Sequence, residues 1–574
     1  MHDQRRWITV TLASAIVASL AAGCTIPGRS GETPPAQLAD NSQGETDAET
    51  GDPLPEVVRD GENGVAYAAS ERFFSRAPFV VVAPADQPDA VLRGASLAVA
   101  TSVPLLVSGP PDEAALAREL TRLDTSTVVA IGGAPVPDTA DVITVAGSAA
   151  ELESLTGLLF EEQQLNDASD AAAALSAADG ENPVLYSLGE LEVPNGAGSA
   201  AASEEEDQAD GAEDLALPDF GRGNQAPGVT VLAAPLSAPD EIGRAEHLAG
   251  VAVARAAGAE VIVLPVPDIR ATGESVDLAR EIAGTSIMAL GSHFGSTAEL
   301  RKRFTDALSV PELPGGGQLV YPGRRMIALY GHPGVPAMGV LGEQGPEDAI
   351  ARARDLAERY EALSGEPVIP ALEIIVTVAS VAPGADNQYS NVSRVEDIQP
   401  WVDAARDEGT YIVLDLQPGR TDFLTQAKLF EELLKEPHVG LALDPEWRLR
   451  PDQVHLRQVG QVDASEVNEV IEWLADLTAE HSLPQKLLVL HQFQMRMITN
   501  RDQLETTREE VAVLIHADGH GVPAQKMDTW NTLKTDLQDD IWLGWKNFYD
   551  EDLPTFTPDE TMAVDPAPWF VSYQ

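Results

Sequence analysis

The chain has 574 residues, enough for two to four domains, and 91 acidic against 37 basic residues give it a formal charge of −54. So strong a negative field excludes nucleic acid as a partner and works against electrostatic adhesion to anionic lipid or anionic wall polymer. Cys24 is the single cysteine, so no intramolecular disulfide can form.

In chain order, the first feature is a three-part N-terminal segment. Arg5 and Arg6 are basic, residues 7–20 are mostly apolar, and the small residues Ala21, Ala22 and Gly23 lead into Cys24. The apolar run is short for a bilayer span, so residues 1–23 read as a secretory signal. Ala21-Ala22-Gly23-Cys24 resembles the bacterial lipobox, with Ala21 where leucine is commoner. The resemblance implies a lipidated Cys24 and a protein anchored to the membrane on its extracytoplasmic face. Residues 24–63 are rich in Gly, Pro, Asp, Glu, Asn and Ser without hydrophobic periodicity, which predicts a disordered tether.

Residues 64–194 read as α/β, with strands over 79–83, 104–108 and 127–131 and helices over 89–100 and 113–123. An acidic linker over 195–224 holds Glu204, Glu205, Glu206 and Asp207, whose like charges are expected to stay solvated and inert. The rhythm resumes over 225–318, with strands at 229–233, 260–265 and 286–290 and helices at 241–257 and 275–283. The two stretches look like diverged copies of one unit. Within about 66–147, Glu71-Arg72-Phe73, Val80-Val81-Val82-Ala83, Pro88-Asp89-Ala90, Ala95-Ser96-Leu97-Ala98, Pro104-Leu105-Leu106-Val107 and Ile131-Gly132-Gly133 follow in order. This series resembles the type 2 cell-wall-binding repeat of Gram-positive surface proteins, while the second stretch matches only in rhythm. The resemblance implies a wall polymer as partner; a flavodoxin-like scaffold without wall affinity is the alternative reading.

Residues 319–574 change character and hold seven of the eight tryptophans. Strands are expected at 326–330, 372–378, 411–416, 439–443, 487–490, 511–515, 541–545 and 569–572. Helices are expected between many of them, at 346–363, 422–434, 464–480 and 502–510. This pattern predicts a (β/α)8, TIM-type barrel with its last helices degenerate. The C-terminal strand ends of such a barrel share one mouth, and here they are polar. Period-two alternation pairs Tyr330 with His332, Asp415 with Gln417, Asp444 with Glu446 and His516 with Asp518 on inward faces. Glu373 and Thr377 share a face of the second strand, and Trp447, His491, Trp545 and Asn547 complete the expected mouth.

Three functions fit these residues. Glycoside hydrolysis needs a protonated carboxyl and an ionised one. Glu446 beside Trp447 is the expected acid, with Asp444 or Asp518 as partner. The region loosely resembles glycoside-hydrolase-like barrels, without a diagnostic motif, and together with the wall-binding-like repeats this implies a barrel acting on or binding cell-wall polysaccharide. A metal-dependent hydrolase could draw ligands from His332, His491, His516, Asp415, Asp444, Glu446 and Asp518. No His-x-His or His-Glu-x-x-His run supports that reading, so no metal or other cofactor is expected. The third reading is a non-catalytic wall-binding or scaffold lipoprotein that only holds a glycan.

Overall fold

Runs such as 79–83 and 229–233 are apolar at every position, which suits parallel strands covered on both faces. A computed structural model describes residues 35–39, 45–46, 52–109, 113–165, 170–188, 217–221, 228–235 and 241–574. The chain is mixed α/β, with N-terminal parallel sheets followed by a closed, eight-stranded parallel barrel.

The first sheet runs Leu105–Ser108, Phe79–Pro84, Thr127–Ile131, Asp141–Val145, all parallel. The second runs Glu260–Val263, Val229–Ala233, Ser286–Leu290, Glu56–Val58, also parallel. In both sheets the second strand of the unit lies outside the first, so the common rhythm has a common strand order. The two units are not separate bodies. Helix Glu241–Ala256 packs on helices Val65–Phe73 and Pro88–Thr101, and one apolar core runs through both.

Two expectations change here. The tether predicted over 24–63 is built into the fold at two places, and Gln37–Leu38 pairs antiparallel with Phe74–Arg76. Glu56–Val58 adds a strand beside Ser286–Leu290, and the Val57 N–H donates to Thr297 Oγ1 at 3.1 Å. Averaged composition hid a three-residue strand that a sheet edge can recruit. The linker over 195–224 is likewise not wholly solvated, because Phe220 meets Phe79 edge-on with ring centroids 6.0 Å apart. The signal segment 1–23, Cys24 and the Glu204–Asp207 cluster lie outside the described residues.

The barrel strands are, in order, Arg325–Gly331, Val368–Ala379, Tyr411–Leu416, Val439–Leu443, Lys486–Gln492, Val511–Ala517, Trp542–Asn547 and Phe570–Tyr573. They are called strands one to eight below. Strand one pairs with both strand two and strand eight, which closes the ring. Helices Pro346–Glu361, Val395–Asp407 and Ala464–Glu480 cover the outside. The helix expected over 502–510 is absent. Arg501–Gln503 makes one 3-10 turn, and the Asn468 side chain then takes the backbone of Gln503 and Glu505.

Alternation sorts the barrel residues into two sets. Leu414, Leu441, Leu443, Leu488 and Leu490 point out into the helix layer. Met326, Ala328, Tyr411, Val413, Ala442, Leu487, Val489, Ala512, Leu514 and Phe570 point in and plug the N-terminal half of the lumen.

Candidate functional site

Above the apolar plug, each strand turns one polar side chain inward two residues further along. The steps are Ala328 to Tyr330, Ala371 to Glu373, Val413 to Asp415, Ala442 to Asp444, Val489 to His491, Leu514 to His516, Gly544 to Lys546 and Phe570 to Ser572. Gly544 is needed for this layer, because a Cβ there would lie 2.7 Å from His516 Cδ2. Asp518 stands one step above His516 at the end of strand six.

The layer is knit by hydrogen bonds. His491 Nε2 donates to Glu373 Oε1 at 2.7 Å, and its Nδ1 donates to Asp518 Oδ2 at 3.0 Å. Lys546 Nζ sits 3.2 Å from Asp518 Oδ1 and lies over the Tyr330 ring, 3.6 Å from its centroid. The Tyr330 hydroxyl donates to Asp415 Oδ2 at 2.9 Å. Ser572 Oγ and His516 Nε2 are 3.3 Å apart.

Burial and neighbours divide these groups by charge. Burial alone would neutralise His491, but Glu373 and Asp518 on its two nitrogens push its pKa well above the usual imidazole range. Burial works against ionised Asp518 too, yet the Lys546 ammonium and the His491 hydrogen bond hold its carboxyl far below the ordinary range. Lys546 keeps its proton for the reciprocal reason, so it serves as a counter-charge and not as a nucleophilic amine. Burial keeps His516 neutral, with its pKa lowered to about 3 beside charged His491. Three acids go the other way. Burial raises Asp415 to about 7, and burial with the Asp518 charge raises Glu446 to about 7. Asp444 is pushed well above the carboxylate range by burial, then by Glu446 and Asp415.

A cavity of about 590 Å³ opens on this layer. Tyr330, Gln417, Asp444, Glu446, Trp447, Asp518 and Lys546 line it, with Phe493 and Phe548 adding aromatic walls. Of the residues expected at the mouth, Asp415, His491 and His516 lie behind the cavity wall in the polar layer. Gln417 Oε1 accepts from the Ala379 N–H at 3.0 Å, which fixes its side chain at the rim.

Three expected mouth residues are elsewhere. His332 Nδ1 donates to the Ile375 carbonyl at 2.8 Å and fastens the end of strand one to strand two. Trp545 and Asn547 point outward, because Lys546 takes the inward phase of strand seven. The Trp545 ring packs on Trp530 and Phe556, and its indole N–H donates to Asn547 Oδ1 at 2.9 Å. Conversely, the sequence alone assigns no site role to Lys546 and places Glu373 only on a face shared with Thr377. Their signal was a lone charge within an apolar strand, as in Leu372-Glu373-Ile374.

Among the described residues, Glu373, His491 and His516 offer ligand atoms within 4.8 Å of one another. Neutral His516 suits a metal, but His491 donates both ring protons to carboxylates, so ligation would require it to lose one. The donor set fits a charged hydrogen-bond relay better than an ion. The other residues considered as ligands, His332, Asp415, Asp444, Glu446 and Asp518, do not join that group.

No protein-family model matches this sequence, and comparison with curated proteins and with solved structures finds no significant similarity. Among the described residues no helix is long and apolar enough to cross a membrane.

Proposed function

We propose that the chain is a cell-envelope lipoprotein, anchored through Cys24, whose glycoside-hydrolase-like barrel acts on cell-wall polysaccharide. One observation carries the reading: a single cavity is lined by a carboxyl that keeps its proton near neutral pH and a carboxylate that does not. Glu446 is the first and Asp518 the second. Carboxyls driven apart in this way divide into acid and base. Glu446 would protonate the leaving glycosidic oxygen, while Asp518 attacks the sugar or activates a water. Asp444 is the poorer base because it holds its own proton. The aromatic rings of Trp447, Phe493 and Phe548 offer flat apolar faces for sugars. The resemblance of residues 66–147 to wall-binding repeats supports the choice of polymer.

Release of reducing sugar from isolated Gram-positive cell walls tests this. Glu446→Gln is expected to lower turnover by ~10²–10⁴-fold, the usual contribution of a general acid, while wall binding persists. Full activity in that variant removes Glu446 from the acid role. Wall binding without release by the unaltered protein would leave an anchored binding protein, the alternative function.

A further inference from the structure

Asp444 is 2% exposed, yet its carboxyl has no hydrogen-bond or ion-pair partner among the described residues, and Oδ1 is wholly buried and unsatisfied. An unpaired acid at that depth is costly unless something arrives to meet it. The residue lines the cavity beside Glu446, two positions along the chain. Among the described residues that line the cavity, the one ammonium is that of Lys546, and its ion pair is with Asp518. Asp444 and Glu446 therefore face the cavity with no ion pair of their own among the described residues.

A neutral sugar would offer Asp444 only a hydroxyl. A sugar bearing a free amine would offer an ammonium, which lets Asp444 give up its proton and form a charge-assisted hydrogen bond in a dry pocket. We infer that Asp444 selects a glycan whose bound residue is a de-N-acetylated amino sugar, a hexosamine with its amine free. The inference rests on the glycan-active reading of the same cavity and names its substrate class. An N-acetyl group at that position would bring bulk and only neutral hydrogen-bond partners, without the charge that holds Asp444 ionised.

The test uses the full chain in a Glu446→Gln background, so that nothing is turned over, and measures binding by titration calorimetry. The probes are glucosamine and galactosamine oligosaccharides, each in free-amine and fully N-acetylated form. The free-amine form of at least one pair is expected to bind tenfold or more tighter, and adding Asp444→Asn is expected to erase that preference. Equal binding of both forms would overturn the amine selection while leaving the glycan site standing. So would a preference that survives Asp444→Asn. Binding of none of the four probes would overturn the inference, while the wall-hydrolysis assay decides the reading beneath it. Asparagine is isosteric with the protonated acid, and a thermal melt of each variant confirms that the barrel is intact.

Discussion

Asp444 and Asp518 are chemically identical side chains within one cavity, and their surroundings set them to opposite charge. Asp518 has Lys546 and His491 against its oxygens, whereas Asp444 has none. The difference has a consequence for stability. In the unfolded chain Asp444 ionises near pH 4, but in the folded chain it keeps its proton far above that. Between those two values the native state binds the extra proton, so stability falls as pH rises. Asp415 and Glu446, each raised to about 7, act in the same direction between about pH 4 and 7. An amide at position 444 cannot ionise and removes its share of that slope. Asp444→Asn is expected to change stability little at pH 4 and to raise it, and with it Tm, at pH 8. Thermal melts at the two pH values check this, and parallel behaviour of variant and parent would mean that Asp444 is ionised in the fold.

Most elements were legible because each strand states its own period. All eight barrel strands lie where apolar runs end in polar residues, and helix Ala464–Glu480 has the bounds its amphipathic spacing predicted. What failed was phase. On strand seven the spacing-two pair Trp545 and Asn547 looks like a sugar-binding face, but a one-residue shift exchanges the two sides of a strand. The intervening Lys546 is the residue whose charge finds partners inside, opposite Asp518, while Trp545 finds Trp530 and Phe556 outside. Such long-range partners cannot be read from a local window. The same limit explains Glu373, whose burial depends on His491, more than a hundred residues away in the chain. If Trp545 is a core residue, Trp545→Ala should cost ~3–5 kcal/mol in urea unfolding and leave glycan affinity unchanged at temperatures where the variant stays folded. Lost affinity with stability intact would return the ring to the mouth.

At the scale of the whole molecule, the α/β body and the barrel meet away from the mouth. Arg270 and Arg303 both bind Glu509, and Asp268 and Asp306 complete the cluster. Glu509 lies just before strand six, at the plugged N-terminal end of the barrel, so this contact leaves the cavity uncovered. The chain joins the α/β body first at Gln37–Leu38, paired with Phe74–Arg76, and again at Glu56–Val58, locked into its sheet beside Ser286–Leu290. A lipid on Cys24 would therefore pull on the body, not on the barrel, and the intervening residues would set how far the mouth can reach into the wall. The anchor is a claim about one sulfur. A serine at position 24 keeps the size and polarity of the site but cannot form the thioether that carries the acyl chains. Cys24→Ser is expected to move the protein from the detergent phase to the aqueous phase of a membrane extract, with wall hydrolysis unchanged in the released form. Retention of the variant on membranes would mean that the apolar run over 7–20, and not a lipid, holds the chain there.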